Sequence, residues 1–142
     1  MKNKFLSAII IVIFIAINTN TYAHFADFSP LSAHHEAIEI LSKLDILRGY
    51  GDSSFMPDAK LTRAEFCALI IRAMGEEEAS QQHKNDQSFS DVMPLDWYLG
   101  YISLAYFYKI ANGVDEKNFM PDSNVTYGQA AAFIIRALHL AM

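Results

Sequence analysis

Apolar residues recur at helical spacing in four stretches of the chain. Ala37, Ile40, Leu41 and Leu44 stand at i, i+3, i+4 and i+7, and Tyr101, Leu104, Ala105 and Tyr108 repeat that spacing. Cys67, Ile70, Ile71 and Met74 form a second stripe, matched by Ala131, Ile134, Ile135 and Leu138. Each stripe predicts an amphipathic helix that must pack on a neighbour to be stable. Start and stop signals flank them. Ser32 and Asp96 stand where they cap the first helix of each pair, and Gly49 and Gly113 follow where a left-handed stop is expected. Thr62-Arg63-Ala64-Glu65 predicts a capping box, in which each side chain satisfies a free backbone N–H of the first turn. Thr126-Tyr127-Gly128-Gln129 keeps that chemistry with glutamine. Between the paired helices lies Phe55-Met56-Pro57-Asp58. Pro57 bars a helix and directs Met56 toward extended backbone. Phe55 is the expected plug between the helices, contributing about 1.5–3 kcal/mol if fully buried.

These stretches are one unit used twice. Residues 89–138 align with 25–74 without a gap. Phe25, Asp27, Pro30, Leu31 and Ile38 recur as Phe89, Asp91, Pro94, Leu95 and Ile102. Ile46 and Gly49 recur as Ile110 and Gly113, and Phe55 to Asp58 recurs intact as Phe119 to Asp122. Thr62, Ala68 and Ile70 to Ala73 recur as Thr126, Ala132 and Ile134 to Ala137. The predicted fold is all-α, with two tandem helix–loop–helix repeats.

The ends of the repeats set the domain boundaries. Lys2 and Lys4 precede an uncharged, mostly apolar run from Phe5 to Ile17, which is followed by a polar stretch ending in Ala23. That order predicts a cleaved secretory signal peptide over 1–23. The run is shorter than the roughly 20 residues a bilayer requires. Repeat 1 then covers 24–75 and repeat 2 covers 89–142. The intervening 76–88, with Glu76-Glu77-Glu78 and Gln81-Gln82, reads as a polar surface linker.

Composition narrows the function. A hydrophobic content of 52% excludes a disordered chain. The net charge of −5 argues against a general nucleic-acid binder. Loss of Lys2 and Lys4 with the signal leaves nine basic and sixteen acidic residues, a net −7. The lone Cys67 excludes an internal disulfide framework and a multi-thiolate metal site, and suits a buried helix face. His34 and His35 are adjacent, so on a helix they point roughly 100° apart and do not chelate one metal. Asp52, Ser54 and Asp58 lack the central glycine and final glutamate of an EF-hand. No serine–histidine or cysteine–histidine constellation stands out. The sequence therefore predicts no catalysis, cofactor or metal.

Phe89-Ser90-Asp91-Val92, Trp97, the Gly49-Tyr50-Gly51-Asp52 loop, Phe55 to Asp58 and Thr62 to Glu65 together resemble S-layer homology (SLH) repeats. The likeness lies in their order and spacing over nearly the whole chain after residue 23. It implies a secreted cell-envelope module, at the cell wall surface or in the periplasm. It also implies non-covalent attachment to an acidic, often pyruvylated, polysaccharide linked to peptidoglycan. Three repeats usually form a pseudo-threefold unit with ligand grooves between neighbours. Here there are two, and repeat 1 has Ala33 where repeat 2 has Trp97.

The candidate ligand-binding residues are Arg63, Gly49, Asp91 and Trp97. The resemblance assigns the motif arginine to the acidic sugar, a role that falls on Arg63 and has no counterpart at Tyr127. A guanidinium suits a carboxylate through two parallel hydrogen bonds. Asp91 suits a groove but more readily a turn that accepts backbone N–H bonds, and Trp97 suits a sugar face but, as a large aromatic near a helix start, more often the core between repeats. The alternative function is a structural protein–protein interaction module of the envelope whose glycan site has decayed. The unfilled face of a threefold arrangement, with Ile70, Ile71, Ile134 and Ile135, predicts pairing with a second copy or with an SLH-bearing partner. The other possibility is that the two repeats close on each other and hide both stripes.

Overall fold

The structure, a computed structural model, describes residues 25–27, 29 and 32–141. The predicted signal segment lies outside the described residues. Among the described residues five helices follow in order: α1 His35–Lys43, α2 Arg63–Ala73, α3 Glu77–Gln82, α4 Leu99–Phe107 and α5 Tyr127–Ala141. Among the described residues there is no named strand, only an isolated antiparallel bridge between Thr62 and Asn124.

The core lies between the repeats. Helix α2 of repeat 1 packs on α4 and α5 of repeat 2, and also on α3. It buries Arg63, Ala64, Cys67, Ala68, Ile70 and Ile71. Repeat 2 contributes Val92, Leu99, Ile102, Leu104, Ile110 and Phe119, each almost wholly buried. Burial of Cys67 pushes its thiol up to about 12, so it stays a protonated packing group. Helix α1, by contrast, buries none of its residues and packs on no other described helix. Its stripe of Ile40, Leu41 and Leu44 is exposed, although the matching stripe on α4 is core.

The capping signals are realised at the second helix of each pair. Thr62 Oγ1 accepts from Glu65 N at 3.2 Å, and Glu65 Oε2 accepts from Thr62 N at 2.7 Å. Thr126 and Gln129 make the same reciprocal pair at 3.2 and 3.1 Å. At the first helices the predicted caps are displaced. Ser32 Oγ accepts from His34 N, while Asp96 turns back to accept from Met93 N. Neither α1 nor α4 has a side-chain cap.

The left-handed stops also fall elsewhere than expected. Asp45 and Lys109, at φ 57° and 58°, end the first helices. After α1, Ile46 N donates to Leu41 O and Asp45 N to Ser42 O. After α4, Ile110 N donates to Ala105 O and Lys109 N to Tyr106 O, so both ends form Schellman motifs. Gly49 does have φ +65°, but it serves close approach: a Cβ there would lie 2.4 Å from the Phe25 ring.

Each inter-helix loop is clamped by one carboxylate. Asp27 accepts from Phe55 N and Met56 N, both at 2.7 Å. Asp91 accepts from Phe119 N at 2.8 Å and Met120 N at 2.7 Å. Turning two successive amides into one carboxylate puts Met56 and Met120 at φ 55° and 58°. The extended backbone expected before Pro57 gives way to this clamp. The plug expected of Phe55 is complete only in its counterpart. Phe119 is fully buried, whereas Phe55 is half-buried against Phe25 at 5.3 Å between ring centroids.

The stretch read as a linker is part of the fold. Glu77–Gln82 is helical because Ser80 is buried against α4, its hydroxyl bonded to Glu77 O at 2.6 Å. The two helices touch backbone to backbone, and a Cβ on Gly100 would lie 2.3 Å from Ser80 O. Gly100→Ala is therefore expected to cost about 1–3 kcal/mol by overpacking. Gly51→Ala, with nothing within 4 Å, should stay within about 0.5 kcal/mol. Urea unfolding midpoints of the two variants check this.

Candidate functional site

A groove of about 660 Å³ runs between the loop and second helix of repeat 1 and the start of repeat 2. It brings together two of the four sequence candidates, Gly49 and Trp97, and adds Arg48, Tyr50, Lys60, Glu65 and Arg72. Trp97 is 55% exposed, and its ring is held edge-on by Tyr98 at 5.4 Å and Tyr101 at 6.1 Å. That support fixes the indole while leaving surface open for stacking. Tyr50 donates to Glu65 Oε1 at 2.9 Å, which raises the Tyr50 hydroxyl pKa and orients the ring on the groove wall.

The groove cations are held from behind. Arg48 grips Asp45 in a two-bond fork, Nε to Oδ1 at 2.8 Å and Nη2 to Oδ2 at 2.6 Å. Its Nη1 reaches Glu77 at 3.3 Å. Arg72 Nε donates to the same carboxylate at 3.1 Å, and its Nη2 donates to the Tyr101 hydroxyl at 3.1 Å. Tyr101 in turn donates to Glu77. Burial pushes the Glu77 carboxyl up, but the Tyr101 bond and the two arginine charges outweigh it and leave its pKa below the usual value. The network is thus complete above the ordinary carboxylate range, and weakens only as pH falls through that lowered value. Lys60 has no ion pair among the described residues. Three cations and one carboxylate therefore line a groove on a chain of net charge −5.

The other two candidates do not face this groove. Arg63 is 3% exposed. Its Nε donates to Phe119 O at 2.9 Å and its Nη2 to Asn112 O at 3.0 Å. Its guanidinium sits 4.5 Å from the Phe119 ring centroid and 5.6 Å from that of Phe133. Desolvation lowers its pKa from the ordinary arginine value. The arginine expected to reach out to a sugar is turned inward, because the carbonyls of repeat 2 lie within its reach across the core. Asp91 is the clamp described above, with both oxygens occupied by backbone amides.

Arg48, Tyr50, Lys60 and Arg72 were not among the candidates. For two of them a signal existed in the comparison of the copies. Arg48 and Lys60 align with Asn112 and Asn124, so repeat 1 carries cations at positions where repeat 2 carries neutral amides. Arg72 gave no such signal, since Arg136 matches it and a cation in a last helical turn is explained by the helix dipole.

The family model for the S-layer homology domain matches residues 24–67 and 88–131. The chain belongs to the S-layer homology domain family. It is 36% identical over 107 residues to a surface layer protein of Brevibacillus choshinensis, a match covering 75% of this chain and 10% of that protein. It is 34% identical over 103 residues to a middle cell wall protein of Brevibacillus brevis, covering 72% of this chain and 10% of that protein. An amylopullulanase of Thermoanaerobacterium thermosulfurigenes is 33% identical over 105 residues, which are 74% of this chain and 5% of the enzyme. The chain thus spans about a tenth of the length of the first two relatives. Membership makes it a repeat module of the cell-envelope surface. No helix among the described residues is long and apolar enough to cross a membrane.

The inward Arg63 generates a stability prediction. Arg63→Ala leaves Phe119 O and Asn112 O without their donor and is expected to cost about 1–3 kcal/mol. Arg63→Lys, which lacks the planar fork, should recover only part of that. Urea unfolding measures both. An unchanged midpoint for Arg63→Ala would contradict the inter-repeat role.

Proposed function

We propose that the module attaches non-covalently to an acidic, peptidoglycan-linked wall polysaccharide, and that the groove between the repeats is where it does so. The observation that carries this reading is the cationic lining of one groove on an acidic chain: Arg48, Lys60 and Arg72 face it beside a single carboxylate, Glu65. Lys60 has no ion pair among the described residues, while Arg48 and Arg72 are held from behind by Asp45 and Glu77. Beside these cations Trp97 offers an open indole. An acidic sugar needs both features, a cation for its carboxylate and an apolar face for its ring. Family membership and the surface-layer and cell-wall names of the relatives support the same reading. A pyruvyl substituent would supply the carboxylate.

In this reading Gly49 keeps the groove wall thin, since a side chain there would displace the Phe25 ring. Arg63 and Asp91 act indirectly. The first fixes repeat 2 against repeat 1, and the second sets the loop that carries Phe119.

Co-sedimentation with purified wall sacculi tests the proposal. The protein should pellet with intact sacculi and stay in solution once the attached polysaccharide is chemically removed. Trp97→Ala and Lys60→Glu should each weaken binding about ten-fold, near 1.4 kcal/mol, with helix content unchanged. Tyr127→Ala, outside the groove, should bind as the parent does. Equal pelleting by the parent and both groove variants would reject the groove as the site and favour a protein-binding role.

A further inference from the structure

The loop of repeat 2 that receives Arg63 carries a dipeptide that neither the fold nor the groove explains. Asn112 is the one asparagine of the sequence that a glycine follows. Glycine has no Cβ to shield its backbone nitrogen, and asparagine is a thermolabile residue. Repeat 1 has Arg48 before Gly49 at the aligned position, so this pairing exists in one copy only. Asn112 is exposed. Among the described residues no hydrogen bond holds its side-chain amide or the Gly113 N–H. The other asparagine of this loop is restrained, since Asn118 Nδ2 donates to both oxygens of Asp115 at 3.1 and 3.0 Å.

The peptide group between Asn112 and Gly113 is polarised from the core. The buried Arg63 guanidinium donates from Nη2 to Asn112 O at 3.0 Å. Among the described residues no carboxylate pairs with Arg63. A charged donor on a carbonyl oxygen draws electron density from the whole peptide group and makes its N–H, here that of Gly113, a stronger acid. We infer that Asn112–Gly113 is a self-modification site, at which the Gly113 nitrogen closes on the Asn112 side chain with Arg63 promoting the closure. Gly113 N gives its proton to solvent and bonds to Asn112 Cγ. The Cγ–Nδ2 bond breaks and ammonia leaves, so a cyclic imide remains. Water then opens the imide at one of its two carbonyls. Opening at Cγ gives aspartate on the original backbone. Opening at the Asn112 carbonyl carbon gives isoaspartate: the main chain now runs through Cβ and Cγ, and the group that accepted from Arg63 becomes a free carboxylate. Water is the only co-reactant, and nothing is oxidised or reduced. Isoaspartate adds one atom to the main chain ahead of Gly113, which has no room to move. A Cβ on Gly113 would already lie 2.4 Å from Asp115 O, 2.5 Å from the Phe89 ring and 2.7 Å from Asn118 O. The loop that Arg63 clasps is thereby pushed out of its packing, and the seam between the repeats weakens as the protein ages.

The test is peptide mapping by mass spectrometry of the purified chain, incubated at mildly alkaline pH both folded and unfolded in guanidinium chloride. The folded chain should accumulate aspartate and isoaspartate at position 112 at least as fast as the unfolded chain, which has lost the Arg63 contact. Asn118 should stay intact in the folded chain. Urea unfolding of the aged folded sample should show a second, lower transition whose amplitude matches its isoaspartate content. Freshly purified Asn112→Asp, which carries the new charge on an unaltered backbone, should keep the parent midpoint. Asn112→Gln, which must close a larger ring, should neither convert nor develop the lower transition over the same incubation. Any of three results overturns the inference: an Asn112 that stays intact in the folded chain, a conversion that is faster in guanidinium chloride, or a lower transition that Asn112→Gln shares.

Discussion

Everything in this structure depends on how the first turn of α2 is sealed. A helix start leaves backbone N–H groups without partners. The Thr62–Glu65 box satisfies part of that need from within repeat 1. Repeat 2 supplies more: Arg63 N donates to Ser123 O at 2.9 Å and Ala64 N to Pro121 O at 3.0 Å. The Arg63 side chain then crosses to Phe119 O and Asn112 O. Four hydrogen bonds from two consecutive residues thus run into one loop of the other repeat. That loop is held in turn by the Asp91 carboxylate. The repeats are fixed to each other by polar contacts of defined direction, and the apolar packing of α2 on α4 follows that alignment.

The groove is a consequence of the same alignment. Trp97 belongs to repeat 2 and the cations belong to repeat 1, so their separation is set by the inter-repeat seam. Helix α3 adds a second constraint. Its Glu77 holds Arg48, Arg72 and Tyr101 together, tying the back of the groove to both repeats. An acidic residue behind two arginines costs some of their positive potential but fixes their side chains in advance. A ligand of the proposed groove would then meet ordered donors and would not have to organise them.

The periodic parts of the sequence carried the fold well. Paired stripes, the capping boxes and the repeat gave the helical class and the placement of α2, α4 and α5. Local signals failed where a more distant group competed for the same atom. Asp96 had an amide three residues back within reach, so it did not cap α4. Pro57 could not keep Met56 extended against a carboxylate that gathered two amides. Glu76 to Gln82 has almost no apolar residue, and its helix depends on Ser80 and Gly100 meeting closely, which no pattern of hydrophobicity records. The candidate groove was legible in part for the same reason. Gly49 and Trp97 lie on the groove, whereas Arg63 was assigned by motif position and its direction depended on carbonyls 49 and 56 residues away.

An acidic glycan that enters between the repeats, as proposed, would meet both. Nuclear magnetic resonance of the labelled protein tests this directly, with a titration of acidic wall-polysaccharide fragments. The Trp97 indole N–H and the amides of Gly49, Tyr50 and Lys60 should shift together along one saturating curve. Signals from the outer face of α5 should remain still. Shifts confined to α5, or a Trp97 indole that never moves, would contradict it.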